Sequence, residues 1–144
     1  MSLQNLGRYE RLLNEVVDSA CRAAKSIKAA PFDVTFGKVE SFDVKSDRFP
    51  LELLCSEGLA DLRHFHQQLG LALKQEGLNR FAAFRLTPHM TLLYGDRIIE
   101  EHPVDPISWR VKEFALVLSH WGETRYDILG QWLLRIGGED NGPA

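Results

Sequence analysis

The sequence predicts an α+β fold, with antiparallel strands and two long helices on the outside. Two segments carry apolar residues at steps of three and four, which is the spacing of an amphipathic helix. In other segments apolar and polar residues alternate, as they do in strands with one buried face. The strands follow one another in neighbouring pairs, so we expect mainly antiparallel pairing with the helices packed on the sheets.

The first half of the chain predicts one helix and one hairpin. An apolar stripe predicts a helix over residues 6–29, and Pro31 ends the helical region. Alternation predicts a strand over residues 32–42, in which Gly37 shifts the phase as a bulge would. Residues 49–55 are predicted to form the partner strand.

The second half predicts a helix followed by further strands. The helix covers residues 59–75, with Gly77 as its C-terminal stop. A loop over residues 78–88 leads into a short strand, and two alternating strands are predicted over residues 109–118 and 126–136. The connection before them is punctuated by Pro103 and Pro106.

Length and charge limit the classes of protein to consider. The 144 residues predict one domain over residues 1–136 and a flexible tail over residues 137–144. A net charge of -3 argues against a protein that coats nucleic acid by neutralising phosphates, although a pocket for one phosphate remains compatible with it. We see no signal peptide and no apolar run that could span a membrane, so we expect a cytoplasmic location.

The most informative stretch, residues 87–95, has the sequence TPHMTLLYG. On a strand, His89 and Thr91 point to the same face because side chains repeat every two residues. An imidazole can transfer a proton near neutral pH, and a hydroxyl can donate a hydrogen bond to a phosphate oxygen. The pair therefore suits phosphate chemistry. Tyr94, three residues after Thr91, is predicted to point the other way, into the core, with stacking on a base of single-stranded RNA as the alternative.

Two arginines flank this stretch. Arg85 precedes it and Arg97 follows it. A guanidinium group suits phosphate recognition, so both are candidate substrate-binding residues, with a solvated loop arginine as the alternative for each.

Residues 85–93, RLTPHMTLL, resemble the second signature of the 2H phosphoesterases, the LigT-like or 2'-5' RNA ligase family. Residues 114–119, 125–129 and 132–134 resemble the closing hairpin of that family, and residues 32–42 resemble the strand that follows its first helix. The resemblance covers residues 6–136. His-x-Thr is a weak motif by itself, and this order of elements makes it more specific.

The resemblance implies two lobes around a central cleft, each with one His-x-Thr motif. One histidine would act as general base and the other as general acid, while the threonines hold the phosphate. Typical substrates would be RNA ends with a 2',3'-cyclic phosphate, other cyclic nucleotides, and 2'-5' linkages. His89 and Thr91 would be catalytic residues, with no metal and no other cofactor required.

The chain departs from the family pattern because His89-x-Thr91 is its one such motif. The other histidines are followed by neither Thr nor Ser at the second position: His64, His66, His102 and His120. His64 and His66 would diverge by about 200° around a helix, so the two cannot bind one metal ion. By family spacing, the first motif would precede residue 1.

Three explanations for the missing motif stay open: truncation at the N-terminus, which we favour, a second chain that supplies the missing part, or a degenerate relative. The sequence accordingly leaves three kinds of function. The first is a phosphoesterase whose turnover is weak or absent in this chain alone. The second is a module that binds a nucleotide or RNA end without chemistry. The third is a protein that forms a homodimer through an exposed cleft face.

Overall fold

A computed structural model describes residues 1–120 and 122–136, and it confirms the predicted α+β class. The tail predicted over residues 137–144 lies outside the described residues. Along the described chain, helices and strands come in this order: α1 (Asn14–Ser26), β1 (Phe32–Ser41), β2 (Phe49–Glu57), α2 (Leu59–Gln75), a short 3-10 helix (Asn79–Phe81), β3 (His89–Gly95), β4 (His102–Val111), β5 (Glu113–Ser119) and β6 (Tyr126–Leu133).

Helix α1 is much shorter than the sequence predicts. It begins at Asn14 rather than near residue 6: Gly7 adopts a φ of 97°, a left-handed conformation that a helix cannot contain, and Leu13 just before the helix is extended, with a φ of -91° and a ψ of 114°. The segment before α1 is held by local hydrogen bonds: the Gly7 amide donates to the Asn5 side chain, and the Tyr9 hydroxyl donates to the Leu6 carbonyl. The apolar residues of that segment therefore do not extend the helical stripe.

The described residues fall into two compact units, and whether these behave as one domain over residues 1–136 stays a prediction. The first unit comprises residues 1–3, 32–63 and 85–110. Its sheet has the strand order β3-β2-β1-β4, and β2 pairs antiparallel with both β1 and β3. The register between β1 and β2 shifts on either side of Phe36, which confirms the bulge predicted at Gly37.

Strand β4 corrects the prediction for the region around Pro103 and Pro106. These prolines lie inside β4 rather than in a connection, and the strand predicted over residues 109–118 is divided between β4 and β5, which belong to different sheets. A strand at a sheet edge tolerates proline, because its outer N–H groups have no ladder partner to lose. β4 is such an edge strand, next to β1.

The core of the first unit lies along β1 and β2. Phe36 is 0% exposed, and its ring stacks on that of Trp109 with the centroids 5.0 Å apart. Fully burying a Phe side chain contributes about 1.5–3 kcal/mol, so this contact is a major support of the sheet. Other buried apolar side chains of the unit include Phe32, Val34, Val39, Leu53, Leu54, Cys55 and Leu62.

The second unit comprises residues 4–31, 64–84 and 111–144, of which residue 121 and the tail are not described. It contains α1, most of α2 and the antiparallel hairpin of β5 and β6. Phe114 contacts Phe65 edge-on and stacks on Trp132, with centroids 5.1 and 5.5 Å apart. These rings join the helix to the hairpin within this unit.

Helix α2 matches the predicted range, and Gly77 follows it with a φ of 80°, as expected for a helix stop. The apolar stripe that predicts this helix consists of Leu62, Phe65, Leu69 and Leu73; Leu69 is half-buried and the other three are buried. Among the described residues, neither helix has the length and apolar character needed to cross a membrane.

Candidate functional site

Strand β3 carries the two residues of the candidate site. His89 pairs with Leu54 of β2, and Thr91 pairs with Glu52. Because Glu52 and Leu54 are two residues apart on one strand, all four side chains share one face of the sheet. His89 and Thr91 are both exposed to solvent. The geometry is the one that the His-x-Thr spacing predicts.

The imidazole of His89 is held by a hydrogen bond to its own chain. Nδ1 lies 2.7 Å from the Thr87 carbonyl oxygen. A carbonyl oxygen can only accept, so Nδ1 carries the proton, and in the neutral ring Nε2 carries the lone pair. The buried Pro88 between them restricts the backbone, and the Phe42 ring contacts the imidazole edge-on at 5.4 Å. Nε2 is thus the atom of His89 that can exchange a proton with a ligand.

The hydroxyl of Thr91 is engaged by a carboxylate that the sequence interpretation missed. Thr91 Oγ1 donates to Glu52, at 2.9 Å from Oε1 and 3.0 Å from Oε2. The whole Glu52 residue is only 2% exposed, and across the sheet it pairs with Glu40 of β1. A charge in the middle of the apolar run PLELLC of β2 was the available signal for a special residue at this position.

The structure also corrects the prediction that Tyr94 packs in the core. The register between β2 and β3 shifts at Leu92, so that Leu93 pairs with Leu51 and Tyr94 with Pro50. This bulge inserts one residue and reverses the alternation, which puts Tyr94 on the face of Thr91 rather than on the opposite one. Its side chain is 58% exposed instead of packed in the core. An aromatic ring therefore lies on the same face as the imidazole and the hydroxyl.

The two candidate arginines flank β3 at opposite ends. Arg85 lies four residues before His89 and Arg97 two residues after Gly95, and both are exposed. A strand rises by about 3.3 Å per residue, so the ends of β3 are roughly 20 Å apart. The two guanidinium groups start from opposite ends of the strand, and the hydrogen bonds of the described residues bring neither of them to His89 or Thr91. A third cation, Arg48, donates to the Tyr94 carbonyl oxygen at 2.6 Å.

Cys55, the other chemically reactive side chain of β2, is a neutral thiol. Burial raises the pKa of this thiol above its ordinary value, although hydrogen bonds at Glu57 and Thr35 oppose the shift. Its Sγ lies 3.2 Å from the Glu57 carbonyl oxygen, to which the protonated thiol donates. A thiol that keeps its proton is a poor nucleophile, and by strand alternation Cys55 points to the sheet face opposite to Glu52 and Leu54, so the chemistry of the site face rests on His89 and Thr91.

A second polar cluster belongs to the β5–β6 hairpin of the other unit. His120 Nε2 lies 2.8 Å from Asp127 Oδ2, and a terminal nitrogen of Arg125 lies 3.2 Å from the imidazole nitrogens. The hydrogen bond with His120 is the main cause that lowers the pKa of Asp127. All three groups lie near the solvent, where such ion pairs contribute little to stability.

A metal site would need several ligating side chains close together. In the described part of the chain, no three side chains of His, Cys, Asp or Glu are grouped in this way. His66 is buried and lies 3.1 Å from the Gln4 side-chain nitrogen, whereas His64 is exposed. The two imidazoles thus have different surroundings, as their positions on α2 predict.

The fold and the site together define a class of protein: an α+β protein that carries an imidazole and a hydroxyl side by side on an edge strand. The chain matches the family model of the 2'-5' RNA ligase superfamily over residues 1–123, and it belongs to that superfamily. A comparison with curated proteins finds no match.

Solved structures resemble the fold. A crystal structure of a phosphoesterase is 21% identical with a TM-score of 0.65, and the match covers 92% of this chain and 76% of that one. E. coli LigT complexed with 3'-AMP is 23% identical with a TM-score of 0.65, over 91% of this chain and 75% of that one. TT0787 of Thermus thermophilus is 22% identical with a TM-score of 0.58, and the match covers 94% of this chain and 79% of that one. At these identities the likeness concerns the fold alone.

Proposed function

We propose that this protein is a 2H phosphoesterase-like protein that acts on RNA ends with a 2',3'-cyclic phosphate or on 2'-5' phosphodiester linkages. His89 would transfer the proton through Nε2, and Thr91 would bind the phosphate. Arg85 and Arg97 would bind the flanking parts of the substrate from the two ends of β3. No metal takes part in this scheme, and a cytoplasmic location stays a prediction.

The observation that carries the proposal is the orientation of His89. Its Nδ1 proton is bound to the Thr87 carbonyl, which directs the Nε2 lone pair away from the backbone, and Thr91 lies on the same face of β3. A general base needs such a fixed tautomer within reach of the proton that it removes. Membership of the superfamily supports phosphoester chemistry as the class of reaction.

One histidine limits the proposed activity. The reaction needs a base for the attacking oxygen and an acid for the leaving oxygen, and the sequence contains a single His-x-Thr motif. Loss of one general acid or base costs about 10²- to 10⁴-fold in rate. We therefore propose weak or absent turnover for this chain alone.

The test is hydrolysis of a 2',3'-cyclic nucleotide by the wild-type protein and by His89→Ala, with His102→Ala as a matched control. His102 is also exposed, and its Nδ1 also lies close to the carbonyl oxygen two residues earlier, at 3.0 Å from Glu100. We expect a low rate that His89→Ala reduces by at least about 10²-fold and His102→Ala leaves unchanged. A robust rate that survives His89→Ala would contradict the assignment of His89.

Nucleotide binding without chemistry is the second candidate function, and the exposed ring of Tyr94 favours it. An aromatic side chain on the face of the phosphate-binding residues suits stacking of a base at an RNA end. Titration with a cyclic nucleotide, followed through the histidine NMR signals, separates the two candidates. Binding that His89→Ala abolishes, together with no turnover even in a full-length protein that supplies the second His-x-Thr motif, would favour the binding module.

A further inference from the structure

We propose that Glu52 determines the specificity of this site by favouring a phosphodiester with one negative charge over a phosphomonoester with nearly two. The inference rests on the proposed function, since it concerns the phosphate that His89 and Thr91 would bind. It assigns a role to a buried carboxylate that the acid-base scheme does not use.

The first step concerns the hydroxyl proton of Thr91. A threonine hydroxyl has one proton to donate, and here both Glu52 oxygens lie within 3.0 Å of Oγ1. A phosphate oxygen can only accept a hydrogen bond unless it is itself protonated. A phosphate at this position must therefore compete with Glu52 for the proton of Thr91.

The second step concerns charge. Glu52 is 2% exposed, so solvent screens its carboxylate poorly, and like charges brought together at such a site repel each other strongly. A phosphodiester carries one negative charge, whereas a phosphomonoester carries about 1.5 to 2 at pH 7. The repulsion therefore acts more strongly on the monoester.

The charged side chains that the strand pairing places on the same sheet face as Glu52 do not cancel this effect. Glu40 lies opposite Glu52 on β1 and adds a second carboxylate to the same face. Lys38, which shares that face two residues before Glu40, has its ammonium 3.4 Å from Glu101. His89, opposite Leu54, supplies a positive charge only when its imidazole is protonated.

The consequence is an asymmetry between substrate and product. Hydrolysis of a 2',3'-cyclic phosphate adds water, breaks one P–O bond and converts a diester into a monoester. A carboxylate that disfavours the second negative charge would admit the cyclic diester and promote release of the monoester. Glu52 would act through charge and through Thr91, without transferring a proton itself.

The test compares the dissociation constants of adenosine 2',3'-cyclic phosphate and adenosine 2'-monophosphate at pH 7.5 by calorimetry. The proteins are the wild type, Glu52→Gln, which removes the charge at nearly constant shape, and the control Glu57→Gln. Glu57 lies on the same strand as Glu52, but it is exposed. We expect Glu52→Gln to bind the monoester about tenfold more tightly and the cyclic diester only about threefold more tightly, because the repulsion scales with the charge of the ligand, with no change in Glu57→Gln.

A wild-type measurement covers the case in which Glu52→Gln does not fold. Adenosine 5'-monophosphate and its methyl phosphodiester differ in charge but little in size, and we expect the wild type to prefer the methyl diester. If the wild type binds the 5'-monophosphate and its methyl diester with the same affinity, the role of Glu52 is overturned and the phosphate site stays in place. The same conclusion follows if Glu52→Gln gains equal affinity for the 2',3'-cyclic phosphate and the 2'-monophosphate. No binding of any of these nucleotides to the wild type would overturn the proposed function and this inference together.

Discussion

At the scale of the single residue, Thr91 and Glu52 depend on each other. The carboxylate of Glu52 is buried, and the hydroxyl of Thr91 donates to it. A buried polar group that loses its partner costs about 1–3 kcal/mol, and more when it is charged. The hydroxyl therefore contributes to stability as well as to the proposed chemistry.

We predict that Thr91→Val lowers the free energy of unfolding by about 1–3 kcal/mol, because it keeps the shape of the side chain and removes the donor. Thr91→Ser keeps the hydroxyl and should lose less than about 1 kcal/mol. Urea denaturation of the two variants measures the difference. Equal losses in both would mean that the methyl group, rather than the hydrogen bond, is what the fold requires.

Individual residues also mark the limit of what the sequence could predict about the site. The shared face of His89 and Thr91 follows from their spacing on a strand. The exposure of Tyr94 does not, because it depends on a bulge at Leu92 that arises from pairing with β2. The contact between Glu52 and Thr91 depends on the same long-range register, which spacing along one segment cannot supply.

At the scale of the elements, amphipathic spacing predicted helix α2 and the β1–β2 hairpin well and failed where backbone conformation dominates. Residues 6–13 continue the apolar stripe of α1, yet Gly7 is left-handed and Leu13 is extended, so the helix begins only at Asn14. β4 was missed because its two prolines are typical of loops, and only its position at a sheet edge makes them tolerable. Whether a strand lies at the edge of a sheet depends on how the strands pair, so it cannot be predicted from the residues of that strand alone.

The turn between β2 and α2 gives a prediction at this scale, because Gly58 is required there for two separate reasons. Its φ is 81°, and a Cβ atom added to it would lie 2.1 Å from the Asp33 carbonyl oxygen. Gly77, after α2, has a φ of 80° but nothing within 4 Å of an added Cβ atom. The two glycines share the backbone conformation and differ in the space around them.

We predict that Gly77→Ala loses about 1–2 kcal/mol, the cost of the left-handed conformation for an L-residue. Gly58→Ala should lose clearly more, because the backbone of β1 has to move as well. Thermal unfolding of both variants under the same conditions gives the comparison. Similar losses would show that the start of β1 yields readily to the added methyl group.

At the scale of the whole molecule, the main feature that the sequence did not predict is the exposed apolar surface of β3. Leu92, Leu93 and Tyr94 are all more than half exposed, and β3 is an edge strand of its sheet. An edge strand offers unpaired N–H and C=O groups to another chain, and native proteins usually protect such edges with charges or prolines. From Leu92 to Tyr94, β3 contains neither a charged residue nor a proline.

We propose that the protein forms a homodimer through the outer edge of β3, and we predict that sedimentation velocity shows a dimer whose fraction rises with protein concentration. Leu93→Glu should shift the equilibrium to the monomer, because it puts equal charges on both copies at the contact. Leu71→Glu on α2 is the matched control, since Leu71 is 53% exposed and Leu93 is 52% exposed. The control should dimerise like the wild type, because Leu71 lies within helix α2, whose backbone groups are hydrogen-bonded inside the helix and offer no strand edge to a partner. A wild-type protein that stays monomeric at all concentrations would contradict the proposal, and so would equal effects of the two substitutions.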